Sequence, residues 1–160
     1  VGWRISKPLA RLTAGLTQDW LVGLQTLRLM GSVFVLVWLA GELPWQFAVP
    51  AGFGDMAVGV LAIVTLAKIR RSAPDRDQWI RRVNIAGPLD FIIAFATGIA
   101  TSPGPYQLLA FDAPNTMIQQ MPLVLIPTFA VPVFILAHLV SAVNLKRTQE
   151  AAGAGDPTLA

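Results

Sequence analysis

Residues 20–40 read WLVGLQTLRLMGSVFVLVWLA, a run of apolar residues broken by one charge, Arg28. An α-helix needs about 20 consecutive apolar residues to cross roughly 30 Å of hydrocarbon, and this stretch supplies them. Three more stretches meet or approach that length: residues 51–67, 83–101 and 121–145. None alternates with period two, which argues against a transmembrane barrel. The fold expected is all-α: a polytopic transmembrane helical bundle with four spanning helices.

The rest of the chain fits this reading. Hydrophobic residues make up 54% of the sequence and charged residues only 13%, with a mean hydropathy of +0.60. A soluble domain carries about 25% charged residues, so water cannot be the solvent for most of this surface. Three segments are expected: a cytoplasmic or interfacial N-terminal segment (1–18), the four-helix transmembrane domain (19–147) and a flexible cytoplasmic tail (148–160). Within the first, residues 3–12 (WRISKPLARL) mix apolar and basic side chains and suit the surface of an anionic leaflet.

The basic residues set the orientation. Arg4, Lys7 and Arg11 precede the first span; Lys68, Arg70, Arg71, Arg76, Arg81 and Arg82 surround the second connection; Lys146 and Arg147 follow the fourth span. The connections at 41–50 and 102–120 contain none. Such alternation places both termini and the Arg-rich loop in the cytoplasm. The partners this implies are the lipid bilayer, with anionic headgroups at Arg70, Arg71, Arg81 and Arg82, and other membrane subunits or further copies of the chain. The net charge of +3 does not point to nucleic acid, because the basic residues flank apolar segments instead of lining one face. Trp20, Trp38, Trp45 and Trp79 fall near the expected interfaces, where an indole anchors well.

Chemistry is excluded more than it is indicated. Cysteine is absent and His138 is the single histidine, which leaves out thiol catalysis, disulfides and two-histidine metal or haem sites within one chain. No hydrolytic triad, phosphate-cradling glycine loop or metal-ligand cluster is present. No catalytic residue, metal or cofactor is therefore expected.

Polar residues at mid-membrane depth are the candidates for function. A charge near the bilayer centre costs at least about 2.5 kcal/mol, so Arg28 needs a partner. At 1.5 Å per residue, Arg28 lies roughly 12 Å from the cytoplasmic end of its helix, and Asp90 and His138 roughly 10 Å from theirs. Gln25 is one turn below Arg28. These four form an expected intramembrane polar layer, whether as a structural ion pair or as a ligand, ion or proton site. Snorkelling of Arg28 to the headgroups is the third reading. Small residues share their faces: Asn84, Gly87, Asp90, Ala94, Gly98 and Thr101 on one helix, Gly52, Asp55, Gly59 and Ala62 on another. Small residues let helix backbones approach closely in lipid. Glu42 and Asp55 are expected together on the outer side, as a solvated helix cap or a cation site.

Two patterns add to this. Residues 51–62 (AGFGDMAVGVLA) are similar to 86–97 (AGPLDFIIAFAT), matching at the Ala-Gly pair and the aspartate. The two helices run in opposite directions, so an inverted repeat is suggested. Pro122, Pro127 and Pro132 punctuate the fourth helix; the first suits its start and the others its kinking.

The stretches 41–59 (GELPWQFAVPAGFGDMAVG), 83–98 (VNIAGPLDFIIAFATG) and 122–139 (PLVLIPTFAVPVFILAHL) resemble a group of small bacterial integral membrane proteins of unassigned function. The likeness spans most of residues 20–147 and implies a multi-pass protein of the bacterial cytoplasmic (inner) membrane. It also implies further hydrophobic helices upstream, in keeping with a start at Val1.

Three roles follow. The first is a non-enzymatic accessory or assembly subunit that packs against other membrane helices. The second is a small transporter or ion-coupled permease using the Arg28–Asp90–His138 layer. The third is a cofactor-binding membrane protein with His138 as one ligand.

Overall fold

A computed structural model describes residues 15–154. The N-terminal segment through residue 14 and the tail from 155 lie outside the described residues. Every regular element between is helical. The first helical segment is α1 (Gln18–Gln25), a 3₁₀ stretch (Thr26–Gly31) and α2 (Ser32–Leu39); α3 is Trp45–Arg70, α4 Arg76–Thr101 and α5 Val131–Ala154. Four helical segments, Gln18–Leu39, Trp45–Arg70, Arg76–Thr101 and Ile126–Glu150, are long and apolar enough to cross a membrane. Their outward faces are apolar too, with Ile92, Leu136 and Phe129 exposed, a surface suited to lipid instead of water.

Four element boundaries differ from the hydropathy reading. The turn before α3 is short: Gly41 takes a positive φ and Pro44 caps the helix, so α3 begins at Trp45 and carries Pro50 inside it. A proline removes one backbone bond, which a packed membrane helix tolerates. At the other end of the pair, α4 begins at Arg76 and not Val83, because its polar first turns continue the helix beyond the apolar stretch. The fourth span starts as a π-helical segment, Ile126–Ala130, containing Pro127. Pro132 follows at the second residue of α5. That helix then runs to Ala154, so residues 148–154, assigned above to a flexible tail, are helical.

Two apolar clusters bracket a polar middle. Phe34, Leu43, Phe47, Ala48, Ala51 and Leu123 pack at the end away from the Arg-rich loop, with Phe34 and Phe47 edge to face at 5.2 Å. Val22, Ala62, Ile80 and Leu145 pack at the Arg-rich end. Residues 102–120 fold back on the end of α4: Asn115 donates its backbone N–H to the Thr101 carbonyl at 2.9 Å and its side-chain amide to Thr101 Oγ1 at 3.4 Å.

Candidate functional site

Arg28 projects from the 3₁₀ stretch into the bundle with its side chain wholly shielded. Its Nε donates to Asp55 Oδ1 at 2.8 Å and its Nη2 donates to Asp90 Oδ2. The guanidinium carbon lies 3.9 Å above the Phe91 ring, so an aromatic face supports the charge. Nη1 has no hydrogen-bond partner among the described residues.

Glycines make this approach possible. A Cβ on Gly59 would stand 2.9 Å from the Leu29 backbone nitrogen, and one on Gly52 would stand 3.0 Å from the Gly31 carbonyl. The 3₁₀ backbone thus rests directly on α3, as small residues permit between membrane helices. A Cβ on Gly54 would collide with Asp90 Oδ1, and one on Gly87 with the His138 imidazole. The space beside Gly54 is filled by Asp90 and that beside Gly87 by His138.

A hydrogen-bonded chain leads from this layer toward the Arg-rich end. His138 Nδ1 lies 3.2 Å from Asn84 Oδ1, Asn84 Nδ2 donates to Ser141 Oγ at 2.9 Å, and Ser141 donates to Gln18 Oε1 at 2.7 Å. Gln18 Nε2 returns a bond to the Ser141 carbonyl at 2.9 Å. With Asn84 oriented by its bond to Ser141, Oδ1 accepts, so His138 Nδ1 is the donor. Nε2 then carries the lone pair. It has no partner among the described residues and lies against Gly87, beside which Arg28 Nη1 also stands. A guanidinium neighbour makes this nitrogen a poor axial ligand for a metal cation.

On the opposite side of Arg28 lies a cavity of about 440 Å³. Phe34, Phe47, Phe91, Phe95 and Tyr106 line it, and Asp55 is its one charged lining residue among those described. Asp55 is 15% exposed there although it bonds Arg28.

Arg28, Asp90, His138 and Gln25 are all buried. Gln25 donates to the Phe134 carbonyl at 3.2 Å and does not bond Arg28. Asp55 requires a correction: it is the eleventh residue of α3, about 15 Å inside by helix rise, and it joins Arg28. Glu42 stays exposed in the turn before α3, so the two outer-side acids do not form a pair. Asp55 and Asp90 occupy matching positions in the two similar stretches 51–62 and 86–97, and both reach one guanidinium. That similarity was the signal in the sequence for Asp55. The cluster holds two carboxylates against one guanidinium.

At the Arg-rich end, Asp75 sits between Lys68 Nζ at 2.5 Å and Trp79 Nε1 at 3.0 Å. These bonds hold its carboxyl below the ordinary aspartate range, the Lys68 bond most of all. Trp79 also lies under Arg82 at 4.7 Å, which gives this indole more to do than anchor the chain. Arg70, Arg71, Arg81 and Arg82 are exposed.

A family model, described as a domain of unknown function (DUF8737), matches residues 1–146. No curated protein sequence and no solved structure matches the chain.

Proposed function

The chain belongs to the DUF8737 family, and we propose that it is a small ion-coupled permease whose centre is the Arg28–Asp55–Asp90 cluster. One observation carries the reading: two carboxylates share one buried guanidinium between a cavity on one side and a hydrogen-bonded chain on the other. Two acid groups against one guanidinium leave one of them to be matched by a proton or another cation. The cavity gives that cation entry from one end. The chain His138–Asn84–Ser141–Gln18 gives a polar route toward the other.

The orientation proposed puts the Arg-rich loop and both termini in the cytoplasm of a bacterial inner membrane, with the cavity facing outward. The segregation of Lys and Arg between alternate connections supports it. In this setting exposed Arg70, Arg71, Arg81 and Arg82 meet anionic headgroups.

The competing role is an assembly subunit in which the same ion pairs only hold helices together. Purified protein in vesicles loaded with a pH-sensitive dye separates the two. Under an imposed membrane potential, the permease takes up protons, and Asp90→Asn stops the uptake while remaining monodisperse in detergent. Uptake equal in the wild type and in Asp90→Asn removes the proposal.

A further inference from the structure

We infer that the 440 Å³ cavity binds a lipophilic monovalent cation, an aromatic or alkyl ammonium or its phosphonium equivalent, with Asp55 as counter-ion. The inference rests on the permease reading for the use of such binding, but the binding itself requires no transport.

Shape comes first. Pockets for small organic ligands run from about 300 to 1,000 Å³ and are mostly apolar with few polar groups; this cavity has that size and lining. Charge comes second. Asp55 bonds Arg28 Nε through Oδ1 alone, its side chain remains partly open to the cavity, and the cluster behind it holds one carboxylate more than it has guanidinium groups. A neutral lipophile would satisfy the walls and leave that charge unmatched. An anion would be repelled.

The walls supply the third argument. Five aromatic rings, Phe34, Phe47, Phe91, Phe95 and Tyr106, surround the space. Rings whose faces are open attract an organic cation, more strongly where water is excluded. Phe91 already does this for Arg28. A strongly hydrated inorganic ion would find few oxygen ligands here, whereas a weakly hydrated organic cation loses little on entry.

The test is equilibrium binding of tetraphenylphosphonium to the full chain in lipid nanodiscs, with empty nanodiscs as the blank and triphenylphosphine oxide as the neutral comparator. The wild type is expected to bind the cation saturably, and Asp55→Asn to bind it at least tenfold more weakly. Gly98→Leu gives a second arm. Gly98 lines the cavity, and a Cβ there meets only Phe47 at 3.5 Å, so leucine fits the helix and fills the space; binding should be lost with the fold intact. No saturable binding by the wild type overturns the inference, as does Asp55→Asn binding as well as the wild type. A comparator that binds as tightly as the cation also overturns it. Cation binding without proton uptake in vesicles would sink the permease reading alone, and uptake without binding would sink this inference alone.

Discussion

Asp55 on α3 and Asp90 on α4 bond the same guanidinium, that of Arg28, one through Nε and the other through Nη2. Two helices are thereby tied to the first span at one point. Removing the cation leaves both carboxylates buried without a partner, and breaking a buried pair costs about 3–5 kcal/mol. Arg28→Gln should be destabilised by about that much in detergent-mediated unfolding. A change under about 0.5 kcal/mol would show that the pairs do not hold the helices.

Gly87 has no room for a methyl group, because the His138 ring and Arg28 Nη1 fill the position. Gly87→Ala should push the imidazole away and destabilise by about 1–3 kcal/mol, as overpacking does. Gly98→Ala, with an ordinary 3.5 Å contact, should stay within about 0.5 kcal/mol of the wild type. Equal stability of the two variants would show that close approach at Gly87 is not required.

Asn84 both accepts from His138 and donates to Ser141, so it is the middle link of the polar chain. Hydrogen bonds between membrane helices average about 0.6 kcal/mol, which makes this link a small contributor to stability. Asn84→Leu should therefore lose less than about 2 kcal/mol while slowing vesicle proton uptake at least tenfold. Unchanged uptake would show that the chain is not the route.

Asp75 gives the pH dependence. Its carboxyl is held below the ordinary aspartate value by Lys68 and Trp79, so the contact stabilises the α3–α4 turn where the carboxylate is ionised. That contribution is present above the ordinary value and is lost as pH falls through the lowered one. Trp79 emission should hold steady down to mildly acid pH and shift only below the usual aspartate range. In Asp75→Asn the shift should vanish; a shift that survives there belongs to another group.

Much of this arrangement was legible in residue spacing. Long apolar runs fix the four helices because lipid leaves the backbone few alternatives, and counting at 1.5 Å per residue placed Arg28, Asp90 and His138 at one depth. Hydropathy sets Asp55 near a helix end because the apolar stretch 51–67 is shorter than its helix, which begins at Trp45. The six added residues carry Asp55 from the helix end to its middle. Nothing in hydropathy marks such a start, since Trp45–Val49 is apolar apart from Gln46 whether it turns or coils. The repeat of Gly-x-x-Asp at 52–55 and 87–90 held the better clue. The break of the first span into 3₁₀ geometry at Thr26–Gly31 left no trace in the sequence, because it follows from packing on Gly52 and Gly59.

In the permease proposed above, the charges of this cluster carry ions and do not merely hold helices together. Replacing all three, Arg28→Met with Asp55→Asn and Asp90→Asn, leaves no buried charge unpaired, and such neutral replacements often keep stability. The triple variant is expected to be folded and monodisperse, and its vesicles to take up no protons under an imposed potential. A triple variant that folds and takes up protons at the wild-type rate would contradict it.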